Sequence, residues 1–227
     1  MEVIKNPEAQ GFKSTVARSI VLPFLFVLLL WIVKLIEIFS GTSLADYGIV
    51  PRTWSGLPGV LTTIFIHEDI NHLLSNTFPL LILGSGLMFF YRDVALKVFT
   101  LVWLMGGFWV WLFAREASHI GASGLIYGIA AFLFFSGMLK KNRNLLAISM
   151  LTVFMYGGLT WGIFPVTDHI SWEAHLSGAL AGILCAFAFR NEGPPKQEKQ
   201  WDDEEEDDDE NAEWKITGTT NGSDTNN

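Results

Sequence analysis

The chain has 227 residues, half of them hydrophobic and 14% aromatic, and its mean hydropathy is +0.35. These values are high for a soluble protein and indicate a membrane protein. The net charge of −8 comes from the C-terminal end, because residues 191–227 hold 13 acidic and 3 basic residues, a balance of −10 that leaves +2 for the rest. The single cysteine, Cys185, excludes an intramolecular disulfide framework and a cysteine-rich metal cage.

Six apolar segments follow one another along the chain. A bilayer core of about 30 Å requires roughly 20 apolar residues in a helix. Segments that meet this requirement lie at residues 20–39, 72–90, 94–114, 123–139, 144–164 and 172–189. Residues 41–71 are also apolar, but Gly and Pro interrupt them, so they are expected to form an interfacial or re-entrant loop. The sequence predicts an all-α membrane protein whose residues 20–190 form a six-helix bundle.

The basic residues predict the orientation of the bundle, because cytoplasmic loops are enriched in Lys and Arg. If the N-terminal segment 1–19 is cytoplasmic, only Arg52 and Arg115 fall outside. Eleven basic residues then lie inside or at the inner boundary: Lys5, Lys13, Arg18, Arg92, Lys97, Lys140, Lys141, Arg143, Arg190, Lys196 and Lys199. We therefore expect an integral multi-pass protein of the cell (inner) membrane with both termini cytoplasmic. Residues 191–227, with a Pro pair and an acidic run, are expected to form a disordered cytoplasmic tail.

Polar side chains occur at the starts of three spans. The second begins in "HEDINHLLSN", the fourth in "GASG" and the sixth in "WEAHLSGALAG". In the predicted topology all three spans enter the membrane from the outer face, so these side chains lie at one depth. The residues are His67, His72, Asn76, Ser123 and His175. Polar groups inside a membrane are costly, which makes this set the candidate functional site.

A serine nucleophile needs a base within about 2.6–3.2 Å, and His175 is the candidate base for Ser123. The helices that carry them can approach closely because each has a small-xxx-small pattern, which occurs at close helix contacts. The glycines concerned are Gly124 and Gly128 on the fourth span and Gly178 and Gly182 on the sixth. Taken alone, Ser123 is also typical of a helix N-cap and His175 of a packed core histidine. We expect Ser123 to be both the cap and the nucleophile.

Hydrogen-bond donors for an oxyanion are also present. His72 and Asn76 are four residues apart and share a helix face. Gly121 and Gly124 allow a sharp turn that brings a substrate carbonyl near the free amides of the first helical turn. His67 is expected to order the loop before the second span. Tyr127 lies one turn from Ser123 and either supports the His175 ring or packs in the core.

Two alternatives concern the other ionisable residues. "HEDINH" is close to the zinc motif His-Glu-x-x-His, but its histidines are five residues apart rather than four and point to different helix faces. His119 and His169 lie in outer loops and are expected to be solvated. No carboxylate is placed to complete a triad with His175, so the sequence favours a Ser-His dyad without a metal.

Together these motifs resemble those of the rhomboid family of intramembrane serine proteases. "HEDINHLLSN" matches the family's His-x4-His-x3-Asn, "GASG" its Gly-x-Ser-Gly, and "AHLSGALAG" its Ala-His-x2-Gly-x3-Gly. The resemblance covers about residues 20–190. It implies that Ser123 is the nucleophile, that His175 is the general base and acid, and that the oxyanion hole consists of His72, Asn76 and the Ser123 amide. The Trp-Arg pair common in the family's first loop is absent as such, since "PRTWSG" separates Arg52 from Trp54.

The resemblance further implies a membrane-embedded first loop and cleavage of single-pass membrane proteins at or just inside the outer membrane boundary. It implies no cofactor and no nucleic acid, with transmembrane substrates and the lipid bilayer as partners. Two other functions remain open from the residues: a catalytically silent relative that retains membrane clients, and a transporter. The sequence predicts neither the oligomeric state nor the physiological substrate.

Overall fold

The computed structural model describes residues 7–155, 164 and 171–195 of the chain. In these ranges the long elements are helices, with no strand apart from a single antiparallel bridge between Ile49 and His119. The helices are α1 (Pro7–Ser40), α2 (Ile70–Phe90), α3 (Ala95–Phe113), α4 (Ser123–Lys140), α5 (Arg143–Met155) and α6 (Trp172–Ala188). The prediction of an all-helical protein is confirmed for this part of the chain.

Four of these helices are long and apolar enough to cross a membrane: α1 from Thr15 onward, α2, α3 and α4. The helix α6 is also apolar, but it has only 17 residues. The fifth predicted span, residues 144–164, begins in α5 but continues into residues 156–163, outside the described ranges. The structure therefore supports an integral membrane protein, and the count of six spans stays a prediction. The helix α1 begins before the apolar run because good helix formers such as Ala9 and Gln10 extend it.

The helix α4 lies in the middle of the bundle and packs against α2, α3, α5 and α6. Its apolar side chains Ile129 and Leu133 are fully buried, as are Leu83 and Leu87 of α2. The helix α1, by contrast, exposes Phe24 and many other apolar side chains to about half of their area. An apolar face of this extent is unfavourable in water and is typical of a helix that faces lipid.

Glycines bring α4 and α6 into backbone contact. A methyl group added to Gly178 would clash with the carbonyl oxygen of Gly124, and one added to Gly182 would clash with that of Gly128. The predicted small-xxx-small pattern therefore coincides with the closest approach of these two helices.

The loop 41–69 folds against α3 and contains three short helical turns, Ala45–Tyr47, Gly59–Thr62 and Thr63–Phe65. The α3 indoles hold it: Trp103 Nε1 donates to the Val60 carbonyl at 2.8 Å, and Trp111 Nε1 to the Thr53 carbonyl at 2.8 Å. Arg52 Nη1 donates to the Ala114 carbonyl at 2.6 Å. Although the Trp-Arg pair is absent, an arginine still joins the loop to the end of α3.

The chain after α6 packs against the opposite end of the bundle from the loop. Lys140 Nζ donates to the Pro194 carbonyl at 2.8 Å. Gly193, with φ +80°, lies against the Tyr91 ring so closely that a side chain there would clash. Residues 191–195, predicted to begin the disordered tail, are thus held by the body, because a buried lysine satisfies a carbonyl of this segment. Residues 196–227 lie outside the described part of the chain.

Candidate active site

The N-terminal ends of α2, α4 and α6 meet, and side-chain caps fix two of them. The Asp69 carboxylate accepts a hydrogen bond from the His72 amide at 2.7 Å, and the Ser171 hydroxyl accepts one from the Ala174 amide at 3.3 Å. Both caps accept from amides of the first helical turn, and the Ala174 amide also donates to the Ser171 carbonyl at 3.1 Å. His72 and His175 therefore lie in the first turn, or at the start of the second, of helices whose N-termini are capped.

Ser123 and His175 are joined by a hydrogen bond of 2.8 Å between Oγ and Nε2. The His175 side chain is buried at 7% exposure, and Ser123 is half-buried. The prediction that Ser123 caps its helix is wrong: Ala122 occupies the cap position, and Ser123 is the first helical residue. The hydroxyl is engaged by the imidazole instead of a backbone amide, and this geometry suits proton transfer from serine to histidine.

Tyr127 stacks on His175, with ring centroids 4.1 Å apart and an angle of 9° between the planes. Tyr127 lies one helical turn after Ser123, so α4 contributes both the hydroxyl and the surface on which the imidazole rests. Of the two sequence interpretations of Tyr127, this contact favours support of His175 over plain core packing, since the stack restricts the rotation of the ring.

His72 and Asn76, which carry hydrogen-bond donors, line the same cavity as Ser123. The His72 ring lies beside Gly121, where a methyl group would come within 2.7 Å of His72 Nε2, and Gly121 has a φ of +110° that favours glycine. Asn76 donates one amide hydrogen to the His72 carbonyl at 3.0 Å, which leaves its second hydrogen for another acceptor. The Ser123 amide has no hydrogen-bond acceptor among the described residues, as expected for the first turn of a helix.

His67 is buried at 2% exposure and packs edge-on against His72, with ring centroids 5.1 Å apart. Neither of its ring nitrogens has a hydrogen-bond partner among the described residues. Burial, assisted by the nearby His72, lowers the pKa of His67 from 6.5 to about 4. The ring is therefore neutral at physiological pH and acts as a packing surface for His72.

His119 corrects a prediction, because it is buried at 3% exposure rather than solvated. Its Nε2 lies 3.1 Å from the Arg115 carbonyl and its Nδ1 lies 2.6 Å from the Ser171 hydroxyl. A carbonyl only accepts, so Nε2 carries the proton and Nδ1 accepts from Ser171. Burial lowers the pKa of His119, which favours this neutral form. His119 thus joins the loop before Ser123 to the cap of α6. His169, which the sequence also predicts to be solvated, lies outside the described residues.

An open cavity of about 490 Å³ lies over these residues. Its lining includes His72, Asn76, His119, Ser123, Ser171 and His175. The cavity can admit water and an extended peptide segment to the Ser123 hydroxyl, and irregular backbone is tolerated at membrane depth where it lines such a space. Glu173 is not among the residues that line the cavity, and its carboxylate lies 3.6 Å from Arg115 Nη1.

Comparisons with known proteins identify the family of the chain. The family model described as "Rhomboid domain" matches residues 53–192, more than half of the chain. The chain belongs to the rhomboid family. An uncharacterized protein of Mycobacterium tuberculosis is 39% identical over 176 residues, covering 71% of each chain. An uncharacterized protein of Mycobacterium leprae is 34% identical over 171 residues, covering 71% of this chain and 68% of its own.

Similarity extends to proteins with rhomboid names. The chloroplastic rhomboid-like protein 11 of Arabidopsis thaliana is 29% identical over 148 residues, covering 55% of this chain and 49% of its own. The rhomboid family is one of intramembrane serine proteases, whose substrates are membrane proteins. The recognition of the family from its motifs is therefore confirmed.

Sequence reasoning did not find two buried polar residues near this site. The sequence predicts a solvated His119, and no motif includes Lys34 of α1, which is buried at 8% exposure. A signal for Lys34 is present, because Lys34 and Glu37 are the charged residues in an apolar span and charges there are rarely without a role. For His119 only the tertiary contacts with Ser171 and Arg115 reveal the burial.

Proposed function

We propose that this rhomboid is an intramembrane serine endopeptidase that uses a dyad of Ser123 and His175. The observation that carries the proposal is the 2.8 Å hydrogen bond between Ser123 Oγ and His175 Nε2 at the base of an open cavity. Substrates are single-pass transmembrane proteins, cleaved at or just inside the outer membrane boundary. The reaction needs no cofactor and no metal.

In the first half of the reaction, Ser123 Oγ attacks the carbonyl carbon of the scissile peptide bond while His175 Nε2 takes the hydroxyl proton. The carbonyl oxygen becomes an oxyanion that accepts hydrogen bonds from the Ser123 amide, the His72 ring and the second amide hydrogen of Asn76. The tetrahedral intermediate collapses, and His175 returns the proton to the leaving amine. An acyl-enzyme ester on Ser123 remains.

In the second half, a water molecule from the cavity attacks the ester carbonyl carbon. His175 takes a proton from this water, and the same donors stabilise the second oxyanion. When the intermediate collapses, His175 protonates Ser123 Oγ, and the acid product leaves. Tyr127 keeps the imidazole plane fixed throughout, and His67 supports the His72 ring through their edge-on contact.

The membrane arrangement belongs to the same proposal. Six spans in residues 20–190 place both termini in the cytoplasm, and the loop 41–71 is embedded at the outer boundary of the cell (inner) membrane. The ends of α2, α4 and α6 that carry the polar residues then face outward, so the cavity fills with external water.

The proposal is tested with purified protein and a transmembrane reporter substrate. The wild type should cleave the reporter and react with a fluorophosphonate at Ser123, whereas Ser123→Ala and His175→Ala should each lower cleavage by at least about 10³-fold. His175→Ala should also abolish labelling. A silent client-binding relative would bind the reporter without cleaving it, and a transporter would show neither labelling nor cleavage, so either result contradicts the proposal.

A further inference from the structure

The helix α1 carries a buried ion pair that the proposed reaction does not use. Lys34 and Glu37 lie one turn apart near the C-terminal end of α1, and their side chains are 9% and 11% exposed. Charged groups are costly in such an apolar helix unless their hydrogen-bonding capacity is satisfied. The contacts of this pair therefore indicate what it does.

Lys34 Nζ has three acceptors, which is the number of hydrogens that an ammonium group can donate. They are Glu37 Oε2 at 2.7 Å, the His67 carbonyl at 2.9 Å and the Glu68 carbonyl at 2.9 Å. The second oxygen of the same carboxylate, Glu37 Oε1, accepts from the Leu44 amide at 2.9 Å. The pair thus binds the loop 41–69 near its beginning and near its end.

The two loop residues that Lys34 binds, His67 and Glu68, are neighbours of the proposed oxyanion donor His72. Glu68 precedes Asp69, whose carboxylate caps α2 by accepting from the His72 amide at 2.7 Å. His67, the other residue held by Lys34, packs its ring edge-on against the His72 ring. Two backbone carbonyls and one ring contact therefore connect Lys34 to the start of α2 and to the His72 ring, which lies beside Gly121.

We propose that Lys34 and Glu37 form a clamp that positions His72 for oxyanion stabilisation. Lys34 is a positioning residue, because it acts through the His67 and Glu68 carbonyls and touches no reacting atom. The inference rests on the proposed function and extends it to α1, which lies outside the residues 53–192 that match the rhomboid domain. The first helix is thereby part of the catalytic architecture and more than a membrane anchor.

The test compares three variants of the full chain in detergent. Lys34→Met keeps an unbranched side chain one atom shorter than lysine, removes all three donors, and leaves the Glu37 carboxylate without its ion-pair partner. The double variant Lys34→Met/Glu37→Gln removes that charge while an amide oxygen can still accept from Leu44. Ser40→Ala is the matched control, because Ser40 is at the same helix end and, among the described residues, its hydroxyl bonds the Glu37 carbonyl and the Thr42 hydroxyl and does not contact the clamp side chains.

For the double variant we expect a thermal midpoint close to that of the control, with kcat lowered about tenfold to a hundredfold and KM unchanged. This pattern follows because a misplaced oxyanion donor weakens binding of the transition state and not of the substrate. Lys34→Met should show the same loss of kcat together with a lower thermal midpoint. A double variant whose kcat stays within twofold of the control, or one that raises KM alone, would overturn the clamp.

Two further measurements separate the clamp from the proposed function. Deuterium exchange of the amides of residues 69–73 should accelerate in the double variant and not in Ser40→Ala. This measurement does not depend on the proposed protease activity of the protein. Unchanged exchange would contradict the clamp. Ser123→Ala serves in the same assay: if it still cleaves the reporter, the dyad fails, whereas an inactive Ser123→Ala beside a fully active double variant rejects the clamp alone.

Discussion

At the scale of single residues, the His175 imidazole has a surface that fixes its orientation. The Tyr127 ring lies 4.1 Å away and almost parallel, and the Ser123 hydroxyl lies 2.8 Å from Nε2. A ring held in this way loses little rotational freedom when the substrate binds, so the proton acceptor is already in place. The contribution of Tyr127 comes from its ring face and does not require its hydroxyl.

Replacing Tyr127 tests this support. Aromatic pairs contribute about 0.5–1.5 kcal/mol beyond burial, so Tyr127→Ala should lower kcat by up to about tenfold at unchanged KM. Tyr127→Phe keeps the stacked ring and should stay within about twofold of the wild type. Steady-state kinetics on a transmembrane reporter measures both, and equal activity in the alanine variant would show that the stack has no catalytic effect.

The neutral His67 predicts a dependence of stability on pH. Its pKa is about 4 in the folded protein and 6.5 in the unfolded chain, so the unfolded chain binds more protons between these values. The contribution of the neutral His67 to the free energy of unfolding is fully present above pH 6.5 and is lost as the pH is lowered toward 4. The shift corresponds to roughly 3 kcal/mol at most.

The measurement is the thermal midpoint in detergent at pH 7, 6, 5 and 4.5. His67→Phe keeps a flat ring against His72 but does not titrate, so its midpoint should fall less steeply than that of the wild type. Identical slopes in the two proteins would show that His67 is not the group responsible.

Sequence patterns identified Ser123, His175, His72 and Asn76, because polar groups stand out in apolar spans and their spacing follows helix geometry. They did not identify Lys34 as a partner of the His67 and Glu68 carbonyls, which lie 33 and 34 residues away along the chain. Such contacts depend on which helix α1 packs against, and no local pattern encodes that choice.

At the scale of helices, the spacing between Ser123 and His175 depends on how closely α4 and α6 approach. Gly178 lies against the carbonyl of Gly124. Gly124 directly follows the proposed nucleophile Ser123, and Gly178 is one turn after His175. Any side chain at Gly178 must push the two backbones apart. The glycine pair therefore determines the length of the hydrogen bond between the proposed nucleophile and its base.

Two glycine-to-alanine substitutions separate this effect from helix propensity. Gly178→Ala should lower activity by at least about a hundredfold, because a displacement near 1 Å has that effect on catalysis. Gly86→Ala is the control, since its added methyl group would make ordinary contacts of 3.5 Å with Ile148. It should keep full activity and gain about 0.5–1 kcal/mol of stability. An active Gly178→Ala protein would show that the helices can separate without harm.

Helix boundaries were predictable where apolar runs end at polar or turn-forming residues. The predicted spans 72–90, 94–114, 123–139 and 172–189 agree with α2, α3, α4 and α6 within two residues. The start of α1 and the packing of residues 191–195 were not predictable in this way. A helix can continue past its apolar run, and the tail is held by a lysine of another helix.

At the scale of the whole molecule, the polar ends of α2, α4 and α6 lie at one end of the bundle and the segment 191–195 at the other. Orientation in the membrane is a further prediction, and cysteine labelling tests it. Native Cys185 is buried at 2% exposure and gives little background. An impermeant maleimide applied to intact cells should label Glu116→Cys at once, because that side chain is 87% exposed. Asn191→Cys should react only after permeabilisation, and the reverse pattern would invert the proposed topology.

The sequence by itself determined the helical class, the rhomboid family and the identity of the proposed dyad, because the bilayer restricts the chain to apolar helices and makes each polar exception conspicuous. Only the tertiary structure decided that Ser123 bonds His175 instead of capping its helix, that His119 is buried, and that Lys34 holds the loop before His72. These outcomes depend on distances between segments far apart along the chain. Such distances result from helix packing, in which all the contacting side chains take part at once.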